Sequence, residues 1–232
     1  MSKSLFRTWI FCALGALCGL FASFNAWADL DTRLESWNLF FVTAPISGQW
    51  DVYAEAQPRL TLSGTANHRL LIRPAVRYRI TPALSGWLGY AWTPTFEPGF
   101  RNENRIWQQL QYEVPFRGWT FNLRSRLEER WIADTREAGQ PAYRLRQWFR
   151  ALISTPIDLL CLALTDEAFF NLNTIDGGTR SGFDQNRLFI GGNWRVSEML
   201  SIEGGYLNNL VNLPSNDRMN HVLYTFVMWN IR

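Results

Sequence analysis

The chain has 232 residues, 23 of them basic and 20 acidic, with 12 tryptophans and only three cysteines. Residues 1–28 have the form of a secretion signal, and removing them leaves Cys161 as the single cysteine, which excludes an internal disulfide and a cysteine-based metal site. No later stretch reaches the roughly 18 apolar residues of a membrane helix, and residues 29–232 are enough for one domain.

The signal consists of Lys3 and Arg7, an apolar run from Trp9 to Phe24, and Ala26-Trp27-Ala28 as a small-x-small cleavage site. Cys18 follows bulky Leu17, so a lipid-modified start is not expected. Without Lys3 and Arg7 the basic residues fall from 23 to 21, every one an arginine, against 20 acidic residues. Guanidinium groups stay charged and grip carboxylates or phosphates with paired bonds, which suits a crowded polar interior.

Leu34 to Thr43 is apolar and strand-like, with poor alternation. Trp50 to Arg59 alternates cleanly, Trp50, Val52, Ala54 and Ala56 against Asp51, Tyr53, Glu55, Gln57 and Arg59. Side chains on a strand change face at every residue, so such a run has one apolar and one polar side. Arg69 to Ile80 sets Leu70, Ile72, Val76 and Tyr78 against Arg69, Arg73, Arg77 and Arg79, and the next run sets Leu84, Leu88, Tyr90 and Trp92 against Ser85, Trp87, Gly89 and Ala91. Arg105 to Val114 follows a longer loop, with Ile106, Leu110, Tyr112 and Val114 on the apolar side.

The central hairpin spans Trp119 to Ile153 around the loop Ala133 to Pro141. Its charged faces carry Arg124, Arg126, Glu128 and Arg130 on one run and Arg144, Arg146 and Arg150 on the other. Leu159 to Leu172 then places Glu167 and Asn171 on the polar face, and Gln185 to Val196 places Arg187 and Arg195 there. Leu200 to Leu210 and a last run from Arg218 close the chain, with Val222, Tyr224 and Phe226 assigned to the outer face.

Strand after strand keeps an apolar side with no helix to cover it, and lipid can do the covering. Strands of about 9–11 residues cross a bilayer when tilted, and short turns alternate with long loops as in outer-membrane barrels. Tyrosines and tryptophans sort to two levels on the apolar face: Trp50, Tyr78, Tyr112, Trp119 and Trp194 near the short turns, and Tyr90, Trp92, Trp131 and Tyr143 near the long loops. Rings at both interfaces are what a membrane barrel requires. The predicted fold is an all-β, antiparallel transmembrane barrel of 10 to 12 strands, in the outer membrane of a Gram-negative bacterium after signal cleavage. Eleven runs can be read, whereas bacterial single-chain barrels have even numbers. Ten strands follow with Leu34 to Thr43 as an extra segment inside or at the seam, and twelve if residues 29–43 cross twice.

The inner face is where function is expected, at Arg73, Arg77, Arg124, Arg126, Glu128, Arg144, Arg146, Arg150, Glu167 and Arg187. With Arg130 placed opposite Arg144, Glu128 faces Arg146 and Arg126 faces Trp148, while Glu167 faces Arg187 across the next hairpin. Arginines outnumber carboxylates on this wall, so it favours a narrow channel or binding barrel for small anionic solutes. The alternative is a closed structural barrel whose charges neutralise one another. A third possibility is a lipid hydrolase using His68 or His221 with a nearby hydroxyl such as Ser63, Thr65 or Ser215, although no nucleophile motif surrounds them. No metal or cofactor is expected, and the compartment leaves no role for nucleic acid.

The sequence also resembles a known family. Arg124-x-Arg126-Leu127-Glu128-x-Arg130, Arg144-x-Arg146, the stretch Asp166 to Asn171, Gln185-Asn186-Arg187-Leu188 and Gly204-Gly205-Tyr206-Leu207 are similar to the pattern of the outer-membrane barrel family catalogued as domain of unknown function 2490. The resemblance implies a Gram-negative outer-membrane barrel, with membrane lipid and the outer-membrane assembly machinery as partners, and supplies no activity. One departure from outer-membrane proteins is the ending Trp229-Asn230-Ile231-Arg232, where a terminal aromatic is usual.

Overall fold

The computed structural model describes residues 30–133, 135–137 and 139–231; the expected secretion signal and cleavage site lie outside the described residues. The alternating runs form eleven strands. They are β1 (Asp31–Ser47), β2 (Trp50–Ser63), β3 (Arg69–Arg79), β4 (Leu84–Trp92), β5 (Glu103–Phe116) and β6 (Trp119–Ile132), then β7 (Ala142–Ser154), β8 (Leu160–Asn171), β9 (Gly182–Arg195), β10 (Leu200–Val211) and β11 (Arg218–Asn230). Each pairs antiparallel with its chain neighbours, and the sheet closes on itself where β1 meets β11.

The count is eleven, between the two even numbers expected. An odd number of strands forces the first and last to run the same way, and the seam is accordingly parallel, from Asp31 opposite Arg218 to Thr43 opposite Asn230. The segment that alternated poorly is thus a full seam strand. Trp37 and Leu39 are buried inside while Leu34 and Phe40 are exposed outside, so apolar residues occupy both faces and blur the period of two.

The shortest connections lie at one end of the barrel and the longest at the other, while the five-residue connections 64–68 and 155–159 fall at opposite ends. One of the two-residue turns is Arg117-Gly118, with φ values of 47° and 81°; two consecutive left-handed residues match the strand twist of a two-residue hairpin. At the outer ends of the strands Trp50 stands opposite Tyr78 and Phe116 opposite Trp119, and Trp50, Tyr112, Trp119 and Trp194 are all exposed. Polar side chains on the outer face satisfy one another in pairs: Ser125 with Gln147 at 2.8 Å and Asn186 with Asp166 at 2.6 Å.

The facing of β11 differs from expectation. Leu207 lies opposite Val222, and Glu203 opposite Phe226; since Glu203 and Leu207 are buried, their partners point inward too. Val222 is fully buried and Leu223 exposed. Inside, aromatic rings line up across the seam: Trp87, Tyr53, Phe41, Phe226, Tyr224 and Phe189, with successive centroids 5.5, 5.4, 5.0, 6.2 and 5.3 Å apart. Both faces of β11 are therefore largely apolar, and alternation alone could not orient it.

Trp107 is a further interior ring, buried against Ala75 and Ala91. It fits because Gly89 has no side chain: a Cβ there would stand 2.3 Å from the Trp107 ring and 2.8 Å from Ala75 Cβ. Gly89→Ala is expected to destabilise by about 1–3 kcal/mol through overpacking, seen as a lower urea midpoint. Gly86→Ala, whose Cβ would meet nothing closer than 3.5 Å, serves as the comparison. Equal shifts in both variants would show that contact with Trp107 is not the cause.

Candidate functional site

Because β5 to β9 carry their charged residues at alternate positions, the inner wall stacks guanidinium groups between carboxylates. Glu128 is 1% exposed. It accepts hydrogen bonds from Arg144 Nη2 and Arg146 Nη1, both at 2.6 Å. Glu167 takes Arg124 Nη2 at 2.5 Å and Arg146 Nη2 at 2.7 Å, with Arg187 Nη1 at 3.8 Å. Glu103 bridges Arg105 at 2.8 Å and Arg130 at 2.6 Å. Arg73 pairs with Glu55 at 3.0 Å, and Arg150 pairs with Glu203.

Several guanidiniums, whether or not they are paired with a carboxylate, also lie over rings, where the π face attracts them. Arg126 stands 4.1 Å from the Trp107 centroid and donates to Gln109 Oε1 at 2.8 Å. Arg124 covers Trp148 at 4.5 Å. Arg146 and Arg187 cover Phe169 at 4.6 and 4.5 Å, and Arg59 covers Trp37 at 3.9 Å.

The expected contacts Glu128 with Arg146 and Glu167 with Arg187 are both present, the first through a different register. The hairpin of β6 and β7 pairs Arg130 with Ala142, Glu128 with Arg144 and Arg126 with Arg146, two residues from the register expected. A shift of two keeps every side chain on its face. Glu128 therefore meets Arg144 across the strands and Arg146 on the diagonal, and the ring of Trp148 falls to Arg124 rather than Arg126.

The interior holds a larger and a smaller cavity. The larger, about 810 Å³, is lined by residues of the long connections and opens at that end. The smaller, about 130 Å³, lies among Leu39, Tyr53, Trp148, Phe189 and Phe226. Trp37, Arg59, Arg73, Arg146 and Arg187 line both and form the layer between them. Of the ten residues singled out from the sequence, Arg73, Arg144, Arg146 and Arg187 border the larger cavity. Arg124, Arg126, Arg150 and Glu167 border the smaller. Glu128 is sealed within the wall, and Arg77 pairs with Asp51 at 2.7 Å towards the short-turn end. Arg195, expected on the polar face, is exposed at that same end, as is Glu113.

Among the described residues, the larger cavity is lined by twelve arginines and three carboxylates, Glu97, Glu103 and Asp184. Sequence reasoning missed Arg33 and Arg218 here, because β1 alternates poorly and β11 was turned the wrong way. Buried Glu35, which accepts Trp37 Nε1 at 2.6 Å, was missed for the same reason. The histidines have other partners than hydroxyls of Ser or Thr: His68 Nε2 lies 3.5 Å from Glu97, and His221 Nδ1 lies 2.5 Å from the Tyr206 phenol. Ser63 Oγ accepts the Leu34 amide.

Residues 34–220 match the family described as "Protein of unknown function (DUF2490)". The chain belongs to that family. An uncharacterised protein of Methylorubrum extorquens is similar to it, 31% identical over 177 residues, which is 74% of this chain and 76% of that protein. No solved structure matches. The motif Arg124 to Arg130, with Arg144 and Arg146, on which the resemblance was read, builds the ion-pair layer around Glu128.

Proposed function

We propose that this barrel sits in a Gram-negative outer membrane and holds small anionic solutes in a vestibule at its external end. The observation that carries this reading is the excess of arginine over carboxylate around the 810 Å³ cavity. A cleft lined by one sign of charge between low-dielectric walls concentrates counter-ions. The membrane setting is supported by the exposed apolar outer face, by aromatic rings at both ends, and by outer polar groups that satisfy one another in pairs, which limits their cost in hydrocarbon. Binding is favoured over steady conduction because an ion-pair layer and a row of rings lie between the two ends. The short-turn half is closer to the structural alternative, since Asp51 pairs with both Arg77 and Arg79 at 2.7 and 2.8 Å.

Two measurements test the reading. The protein should be recovered with outer membranes and migrate faster on gels when unboiled; a soluble periplasmic monomer would end the membrane assignment. In detergent, titration with acetate, chloride and pyrophosphate should raise the unfolding midpoint in a manner suppressed by high salt, as expected for screened charges. A midpoint indifferent to every anion leaves only the structural role.

A further inference from the structure

Three pairs of arginines stand directly opposite one another across strands of this barrel: Arg105 with Arg130, Arg126 with Arg146, and Arg59 with Arg69. Like charges directly opposed on one face of a sheet repel. In the first pair Glu103 bonds to both partners, at 2.8 and 2.6 Å. In the second Glu128 stands 2.6 Å from Arg146 and 3.9 Å from Arg126. The third has no such bridge. Arg59 donates to Gln57 Oε1 at 2.9 Å and Arg69 to Asn67 Oδ1 at 2.9 Å, both neutral amides.

We propose that the Arg59 and Arg69 pair is the anion subsite of the vestibule, and that its ligand is a phosphate group carrying two negative charges. The inference rests on the vestibule reading above and adds to it the place and the charge of the ligand. Both guanidiniums line the larger cavity, as do Arg187 and Arg218. The strongest like-charged neighbours of Arg59 are Arg187 and Arg69, and that of Arg69 is Arg218. Arg218 Nε is buried without a hydrogen-bond partner, as is Nε of Arg73, whose residue is 7% exposed on the floor of the cavity. Glu35 is the leading carboxylate for Arg59, Arg69 and Arg218, and it is engaged by Trp37 Nε1 at 2.6 Å. Of the other carboxylates near these four arginines, Glu103 is bonded to Arg105 and Arg130, Glu167 to Arg124 and Arg146, and Asp31 to Arg33, so positive charge still exceeds negative here and calls for more than a single negative charge. A tetrahedral oxyanion can accept from guanidiniums on several sides, with Arg the side chain best suited to it. Asn67, Asn209 and Asn220 border the same space and can donate to further oxygens.

The test is calorimetric titration of the detergent-folded full chain with inorganic pyrophosphate, with acetate as the singly charged comparator. Pyrophosphate should bind at least tenfold more tightly than acetate, and Arg59→Gln or Arg69→Gln should each weaken it at least tenfold. Arg79→Gln, at the short-turn end, should not. Without ligand, Arg69→Gln should unfold at the same or a higher urea concentration than the parent, because repulsion is relieved; a merely structural arginine would leave a less stable protein. Monomeric dihexanoyl phosphatidic acid forms a second arm: tighter binding than pyrophosphate assigns the phosphate to a lipid headgroup, weaker binding to a free solute. Equal binding of acetate and pyrophosphate, untouched by either variant, overturns this inference while the vestibule reading stands. Absence of any anion binding overturns both.

Discussion

Replacing Glu128 with alanine is expected to destabilise the barrel by about 3–5 kcal/mol, the cost of breaking a buried ion pair from one side. In urea that corresponds to a midpoint lower by on the order of 2 M. The carboxylate holds Arg144 and Arg146 at 2.6 Å each, with Arg105 and Arg126 at 3.7 and 3.9 Å. Without it, several guanidiniums face one another in a water-poor interior with their donors unsatisfied. The loss comes from these stranded charges and not from any large net gain of the intact network, since desolvation offsets much of the attraction in a buried pair. Removing one stranded charge should then help. Glu128→Ala combined with Arg144→Leu is expected to recover part of the lost midpoint, read by tryptophan fluorescence; a double variant less stable than Glu128→Ala would show that the network acts in some other way.

Planar bilayers holding the parent protein are expected to show no steady conductance, whereas Phe41→Ala should conduct with preference for chloride over potassium. Phe41 is one of the two middle rings of the interior row, 5.4 Å from Tyr53 and 5.0 Å from Phe226. Tyr53 and Phe226 border the smaller cavity, whose other wall carries Arg124, Arg126 and Arg150. Taking out the ring should join that cavity to the short-turn end past a wall of arginines, and field lines in so narrow a passage select anions. A fully buried Phe→Ala change costs about 3–5 kcal/mol and Phe41 is half-buried, so a smaller loss is expected and folding is checked first by migration of the unboiled protein. Adding Arg150→Ala should weaken the chloride preference. Conductance in the parent protein would mean that the rings and ion pairs do not close the lumen, and the channel reading would replace the binding one.

The sequence by itself determined the strands, because the period of two is written wherever one face is charged and the other apolar. In β2, β3, β6 and β7 the arginines and carboxylates fell inside as read, and Glu128 met Arg146 as expected. That pairing survived an error in the hairpin register, since the error was of two residues and the face repeats every two. What the sequence could not decide was anything resting on a strand apolar on both sides. Trp37 in β1 and Val222 in β11 give no contrast between faces, so the inward turn of β11 is settled only by its pairing with Glu203 and Leu207 of β10. The strand number belongs to the same class: one seam strand more or less is invisible locally, and only closure makes eleven strands and a parallel seam. The division of charge is tertiary as well. Which arginines share a carboxylate depends on the diagonal reach of side chains across neighbouring strands, and this leaves Arg59 and Arg69 facing each other without one.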